Sequence, residues 1–247
     1  MAIIYFLRTI GVVLYIAAWL VLIAPALILY TILVHSADLL YRVAMVGVRG
    51  AARLAGMRIR VEGIENVPPG VCVFVANHVS NVDPLAVVPV IPKRVALLAK
   101  SELFRIPILA TAMRLASFVP VDRRDPEAAA ASVGKALENL RCGVSFLVYP
   151  EGTRSPDGRL RPFKKGSFVL AIQGGVPVVP ISIIGTQKVM RKGERFMRPG
   201  EVTIRFGPPV DATKYTMDQR VGLVGRVHDL IAAGLPEDQR PLPAARE

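Results

Sequence analysis

Two short polar segments of the chain carry residue types suited to acid–base chemistry and anion binding. In the first, His78 is followed five positions later by Asp83. The second, residues 151–155, combines a carboxylate, a glycine and Arg154 directly after an apolar run. An imidazole titrates near neutral pH and a carboxylate can orient it, while a guanidinium binds phosphate through paired hydrogen bonds. This combination predicts transfer of an acyl group to an alcohol that bears a phosphate.

Acyl transfer from a thioester to an alcohol sets requirements that these residues are predicted to meet. His78 is expected to accept the proton of the attacking hydroxyl, and Asp83 to orient the ring by accepting from its other nitrogen. Oxyanion donors are expected at the helix that opens at Pro84. The chain has no Gly-x-Ser-x-Gly sequence, so the substrate alcohol is expected to attack directly. Taken alone, each motif also fits a structural histidine, an N-cap at Asp83 or solvated charges.

The apolar pattern predicts the elements that position these residues. Runs typical of buried strands alternate with helix signals, which predicts an α/β fold with a mostly parallel central sheet flanked by helices. The runs are 71–76, 95–99, 118–121, 144–149 and 176–184. His78, Lys100, Arg123 and Glu151 each lie just beyond a strand, at the sheet edge where such folds bind ligands. Residues 201–206 alternate in polarity and are predicted to lie at a sheet edge.

Five segments in order resemble the motifs of the bacterial 1-acyl-glycerol-3-phosphate acyltransferases, also called lysophosphatidic acid acyltransferases. The segments are 77–84, 100–104, 118–123, 146–155 and 176–180. The resemblance implies a glycerol-phosphate acyltransferase-like fold and transfer of a fatty acyl chain to the sn-2 hydroxyl of lysophosphatidic acid, making phosphatidic acid. It implies acyl carrier protein (ACP) or coenzyme A (CoA) thioesters as co-substrate, with no other cofactor and no metal.

The resemblance also implies roles for individual residues. His78 is the implied general base and Asp83 its orienting partner. The residues implied to bind the phosphate and glycerol are Lys100, Arg123, Glu151, Gly152, Thr153 and Arg154. Residues 176–180 are implied to line an acyl-chain tunnel, although their composition fits a core strand equally well.

Other functions remain open from the sequence. A related enzyme would use glycerol-3-phosphate or another lysolipid as acceptor. A protein of a different class would bind anionic lipids through its arginines without catalysis. A lipase or thioesterase is disfavoured by the lack of a nucleophile motif.

Composition indicates a membrane-associated protein. The 247 residues are 52% hydrophobic with a formal net charge of +12, which favours an anionic membrane surface over nucleic acid as partner. A second basic cluster, at residues 188–198, fits anionic lipid or the acidic surface of ACP. We expect membrane-anchoring helices in residues 1–57, an α/β acyltransferase domain in 58–235 and a loosely held tail in 236–247.

The anchor is predicted from residues 9–34, which carry no charge and would span roughly 39 Å as a helix. Crossing the bilayer and dipping into one leaflet at Pro25 are both open, and a cleaved signal peptide is the alternative. An amphipathic interfacial helix is predicted for 36–57, with Asp38 paired to Arg42. The arginines that follow residue 34 predict a catalytic domain on the cytoplasmic side of the inner membrane.

Overall fold

The computed structural model describes residues 1–122 and 125–242, which form a sheet with helices on both faces, preceded by a helical hairpin. The strands are β1 (Met57–Glu62), β2 (Val73–Ala76), β3 (Val95–Lys100), β4 (Val119–Val121), β5 (Ser145–Val148), β6 (Val178–Ile184) and β7 (Gly200–Phe206). The helices are α1 (Ala2–Ala18), α2 (Ala24–Val34), α3 (Asp38–Leu54), α4 (Asp83–Val87), α5 (Pro107–Leu115), α6 (Pro126–Arg141), α7 (Val169–Gly174), α8 (Thr186–Val189) and α9 (Arg220–Gly234).

The strand order is β1-β7-β6-β2-β5-β3-β4. Strands β6, β2, β5, β3 and β4 run parallel to one another, while β7 is antiparallel to β6 and parallel to β1. The predicted mostly parallel sheet is therefore confirmed. The edge position predicted for residues 201–206 is wrong, because β7 lies between β1 and β6. Its alternation arises because Val202, Ile204 and Phe206 face the core while the residues between them are less buried.

Both faces of the sheet are covered, which explains the continuous apolar runs of its central strands. Successive side chains of β2 point to opposite faces. Phe74 packs in the layer that includes Val12 of α1 and Ala51 of α3. Val75 packs in the layer formed with α6, α7 and α9. Residues 178–180 of β6 are buried in the same sheet, as the core-strand interpretation of segment 176–180 predicts.

The N-terminal hairpin consists of one long helix and α3, which runs back beside it. A π-helical turn (Trp19–Ile23) joins α1 to α2, and the Ala24 amide donates to the carbonyl of Trp19. Pro25 explains this turn, since it lacks the N–H that would continue the α-helical ladder. Gly47 of α3 lets the indole of Trp19 approach closely, because an added Cβ would lie 2.8 Å from the ring. Asp38 pairs with Arg94 at 3.5 Å, so its predicted pairing with Arg42 is wrong.

The long N-terminal helix contacts the α/β part of the chain at both of its ends. Near its start, the Thr9 hydroxyl accepts from the Met197 amide at 2.8 Å and Phe6 packs edge-on against Phe196. Near its end, α2 packs against α5. Residues 2–34 form the one helix in the described chain that is long and apolar enough to cross a membrane, judged by length and composition. Many of its large side chains are exposed, including Leu14 at 63% and Leu22 at 75%.

The first part of the tail predicted to be loosely held, residues 236–240, is bonded to the domain, while residues 243–247 of that tail lie outside the described residues. The carbonyl of Gln239 accepts from the Leu160 amide at 2.8 Å, and the Gln239 residue is buried. The Arg240 carbonyl accepts from the Arg159 guanidinium at 3.1 Å. Residues 236–240 therefore cover the loop that follows the 151–155 segment.

Candidate active site

The predicted site begins where β2 ends against its neighbour β6. Asn77, which is fully buried, donates to the Ile183 carbonyl at 3.0 Å and accepts from the Ile183 amide at 2.7 Å. Its side chain thus replaces a backbone unit of the sheet ladder and fixes the end of β2 to β6. His78, the next residue, therefore follows a strand end whose position is fixed by these two hydrogen bonds.

His78 and Asp83 form the predicted pair. The His78 Nδ1 lies 2.7 Å from the Asp83 Oδ2, which leaves Nε2 for another partner. The imidazole stacks on Tyr149, with the ring centroids 4.3 Å apart and the planes inclined by 25°. The histidine side chain is 16% exposed and Asp83 is fully buried, so the pair faces solvent through its imidazole.

Asp83 is held by the loop that precedes it. Its Oδ2 also accepts from the amides of Val79 and Ser80, at 2.8 and 2.9 Å. The predicted N-cap is therefore wrong: the side chain turns back towards His78, and Val82 is the cap residue of α4. The amides of Val79, Ser80 and Asp83 are not the predicted oxyanion donors, because the first two are bonded to the Asp83 carboxylate and the third donates to the Ser80 carbonyl. Pro84 has no N–H.

Glu151 joins the second motif to the first from inside the protein. Its Oε1 accepts from the His78 amide at 2.8 Å, and the residue is only 4% exposed. Burial raises the pKa of the Glu151 carboxyl to about 7; the hydrogen bond from His78 opposes this rise and the charge of Asp83 adds to it. The Ser155 amide donates to the His78 carbonyl at 2.8 Å. Both backbone polar groups of His78 are thus bound by the 151–155 segment.

The rest of that segment forms a tight turn towards solvent. The Gly152 amide donates to the Tyr149 carbonyl at 3.2 Å, and Gly152 has a φ of +75°, which other residues adopt at a cost. An added Cβ would also lie 2.8 Å from the Lys164 side chain. Thr153 is exposed and Arg154 half-buried. Arg154 directly precedes Ser155, whose amide donates to the His78 carbonyl.

Lys100 lies at the same edge of the sheet, two strands from His78. Its side chain is 69% exposed, and the ammonium group pairs with the Glu102 carboxylate at 2.9 Å. That hydrogen bond lowers the pKa of Glu102 to about 2. Arg123, predicted to follow the next strand, lies outside the described residues. The ends of β2, β5 and β3 thus bring His78, Glu151 and Lys100 to one edge, in that spatial order.

Sequence reasoning missed two residues that contact the pair. Tyr149 lies within the segment 146–155 but was given no role, and only its position at a strand end could have indicated contact with His78. Thr186, fully buried after β6, donates to the Asp83 Oδ1 at 2.5 Å. It is 103 residues from Asp83 and belongs to none of the segments considered, so no local signal identifies it.

The basic cluster at residues 188–198 adjoins both the site and the hairpin. Lys192 donates to the Arg154 carbonyl at 2.9 Å. Arg198 pairs with Glu194 at 3.1 Å, and its guanidinium lies 6.0 Å from the ring centroid of Tyr5 in α1. The cluster therefore extends from the Arg154 turn to the start of the N-terminal helix.

Comparison with known proteins supports a common family for this arrangement. Residues 58–184 match the sequence profile of a family described as Acyltransferase. The chain is 35% identical over 190 residues to a 1-acyl-sn-glycerol-3-phosphate acyltransferase of Limnanthes alba, over 76% of this chain and 67% of that protein. It is 33% identical over 183 residues to the protein of the same name from Borreliella burgdorferi, over 74% and 73% of the two chains.

A human relative and a solved structure extend the comparison. The 1-acyl-sn-glycerol-3-phosphate acyltransferase alpha of Homo sapiens is 36% identical over 176 residues, over 70% of this chain and 62% of that protein. The crystal structure of the 1-acyl-sn-glycerophosphate (LPA) acyltransferase PlsC from Thermotoga maritima superposes with a TM-score of 0.81 at 29% identity. The superposition covers 94% of this chain and 95% of the PlsC chain. The chain spans about two thirds of the length of the Limnanthes proteins.

Proposed function

Because this chain belongs to the acyltransferase family, we propose that it transfers a fatty acyl group from acyl-ACP or acyl-CoA to the sn-2 hydroxyl of lysophosphatidic acid, making phosphatidic acid. The observation that carries this proposal is the joining of the two polar segments. His78 is hydrogen-bonded through its ring to Asp83 and through its backbone to Glu151 and Ser155. The residue that carries the acid–base group is therefore hydrogen-bonded to the same short segment that carries Arg154.

In the proposed reaction, the substrate hydroxyl attacks the thioester carbonyl. Its proton passes to Nε2 of His78 as the C–O bond forms, and the proton then passes to the thiolate as the C–S bond breaks. Asp83 holds the imidazole in the tautomer that presents Nε2 and stabilises the imidazolium. The carbonyl oxygen becomes an oxyanion in between, and its donors are not among the amides of residues 79, 80 and 83.

The nearby serines support direct attack by the substrate. The Ser80 hydroxyl donates to the Met190 carbonyl at 2.6 Å, and the Ser155 hydroxyl to Asp157 at 2.8 Å. Both hydroxyls already donate to other acceptors, and neither is hydrogen-bonded to His78. No enzyme nucleophile is therefore needed in the proposal, and neither a metal nor a resident cofactor, because the thioester is itself an activated acyl donor.

We assign the headgroup to the exposed side of the site. Arg154 would bind the phosphate through paired hydrogen bonds, with Thr153 and Lys100 beside it. Arg123 stays a predicted member of this group from the sequence. Glu151 is assigned a different role from the one that the resemblance implied: its buried carboxylate supports the His78 backbone from behind.

We further propose that the protein works at the cytoplasmic face of the inner membrane. The exposed apolar side chains of residues 2–34 would enter the bilayer, and the contacts of Thr9 and α2 with the domain would keep the site beside that surface. These contacts favour a helix that lies in one leaflet together with the domain. They disfavour a helix that crosses the bilayer independently of the domain. The 188–198 cluster would then face anionic headgroups.

The test is an acceptor panel with purified protein in vesicles of neutral and anionic phospholipid. A labelled acyl-thioester is offered with lysophosphatidic acid, glycerol-3-phosphate or lysophosphatidylcholine, and the products are identified. We expect phosphatidic acid from the first acceptor and little product from the others. A different preferred acceptor would contradict the substrate assignment, and salt-sensitive vesicle binding without thioester consumption would contradict catalysis.

A further inference from the structure

Thr186 is the one residue outside the predicted motifs that hydrogen-bonds the Asp83 side chain, among the residues the structure describes. Building on the proposed function, we propose that Thr186 is a positioning residue that holds Asp83, and through it the His78 imidazole, in the orientation needed for proton transfer. Its Oγ1 donates to Asp83 Oδ1 at 2.5 Å, and both residues are fully buried.

Asp83 needs a donor at this oxygen. Its Oδ2 already receives the His78 ring and two backbone amides. Without Thr186, Oδ1 would be a buried carboxylate oxygen with no partner, which is costly in a protein interior. The carboxylate would then rotate or take up a water, and the His78 Nδ1 bond would lose its fixed direction.

The chemical type of the donor is also significant. A lysine or arginine at this place would satisfy the oxygen but would place a positive charge beside the carboxylate. That charge would oppose the imidazolium that forms when His78 accepts the substrate proton. A hydroxyl satisfies the oxygen without adding charge, so the negative charge of Asp83 stays available to His78.

The fold fixes the place from which Thr186 donates. Gly185 turns the chain at the end of β6 with a φ of +94°, and an added Cβ there would collide with the Glu201 carbonyl. Two residues earlier, Ile183 is bonded on both sides to Asn77. A second bond, from Ser80 to Met190, ties the 78–83 loop to the segment that follows Thr186.

Thr186→Val tests the proposal because it removes the hydroxyl and keeps the shape. We expect kcat with lysophosphatidic acid to fall about 10- to 100-fold, the usual effect of losing a hydrogen bond to a charged group, with KM for the acceptor within about twofold. Thr186→Ser restores the donor and should bring kcat within about threefold of the parent. An unchanged kcat in Thr186→Val, or an equal loss in Thr186→Ser, would overturn the proposal.

The matched control is Thr31→Val. Thr31 is also buried, at 4% exposure, but its hydroxyl has no hydrogen-bond partner in the described chain and it lies in α2, away from the site. Its kcat should equal that of the parent. Where Thr186→Val does not fold, Thr186→Ala and Thr186→Ser are compared in its place, with the same expected difference.

A double-mutant cycle tests whether Thr186 acts through Asp83. In an Asp83→Asn background, Thr186→Val should lower kcat by less than about threefold, because the charge it serves is absent. A full multiplicative loss would overturn the proposed route. The proposed function is tested separately by His78→Ala: an active His78→Ala variant contradicts that function, whereas an inactive one with a normal Thr186→Val contradicts only the role of Thr186.

Discussion

The two sides of the candidate site differ in how firmly the protein holds them. On the acid–base side, Asp83 and Asn77 are fully buried, and the imidazole of His78 is fixed by Asp83 and Tyr149. On the headgroup side, Thr153 and Lys100 are exposed, and Lys100 is paired with its neighbour Glu102. Proton transfer needs atoms fixed to fractions of an ångström, whereas a phosphate can be bound by long charged side chains that close on it.

Removal of the imidazole should have the largest effect. We expect His78→Ala to lower kcat by at least about 10³-fold, the upper part of the range for general base catalysis, while thermal stability changes little. Steady-state assays with lysophosphatidic acid measure it. The control His35→Asn replaces a histidine in the turn after α2 with a residue that tolerates its φ of +55°, and should keep full activity. Equal activity of the two variants would contradict the assignment.

Glu151 offers a pH-dependent test of the acid–base side of the site. The carboxyl has a pKa of about 7 in the folded protein against 4.5 as its ordinary value. The folded state therefore binds this proton more tightly than the unfolded state does. Proton binding stabilises the fold fully below pH 4.5, and this stabilisation is lost as the pH rises through 7. Glu151→Gln cannot ionise, so its stability relative to the parent should increase between pH 4 and pH 8, by on the order of 3 kcal/mol.

Denaturation midpoints at several pH values in one detergent check this expectation. The control is Glu138→Gln on α6, where the exposed carboxylate pairs with Lys135 at 2.7 Å. The hydrogen bond from Lys135 lowers the pKa of Glu138, so this group titrates below pH 4.5 and the control should run parallel to the parent over the neutral range. Parallel curves for Glu151→Gln would show that the pKa of Glu151 is the same in the folded and unfolded states, and would contradict its buried environment.

On the headgroup side, Arg154→Ala should raise KM for lysophosphatidic acid about 10- to 100-fold with kcat within about threefold, because it removes charge-assisted hydrogen bonds to phosphate. Arg154→Lys should recover only part of the loss, since an ammonium lacks the planar paired donors. Arg141→Ala, at the exposed end of α6, is the matched control. Unchanged kinetics at low substrate concentration would contradict the phosphate role.

Lys100→Ala should have the smallest effect, a rise of about three- to tenfold in KM, because an exposed lysine that must leave Glu102 contributes little. The effect should decrease as salt concentration rises. A loss as large as that of Arg154→Ala would show that Lys100 leaves Glu102 completely in the substrate complex, and that the two cations act as a unit.

The sequence predicted well what local patterns determine. Strand ends place His78, Lys100 and Glu151, so the α/β fold and the common edge followed from apolar periodicity. Residue types alone do not determine the direction of a side chain within a turn. Asp83 could cap α4 or turn back, and in the fold it turns back to accept from the amides of Val79 and Ser80. The alternation of β7 is equally compatible with an edge or an interior strand.

Long-range contacts were beyond prediction from this one sequence. The Thr186 bond joins residues 103 positions apart, and the inward direction of Glu151 depends on the His78 amide that the fold brings to it. The docking of residues 236–240 depends on their contacts with Leu160 and Arg159. Each of these contacts joins polar groups that are far apart in the sequence, so composition does not identify the partner.

The central claim is that His78 acts on the reaction while the Arg154 side binds the substrate. It is tested most directly by the equilibrium affinity of the inactive His78→Ala variant for lysophosphatidic acid, measured in the vesicles used for the assay. We predict a Kd within about threefold of the parent, because the headgroup contacts lie on the other side of the site. A loss of affinity that parallels the loss of turnover would contradict the division of roles and the account built on it.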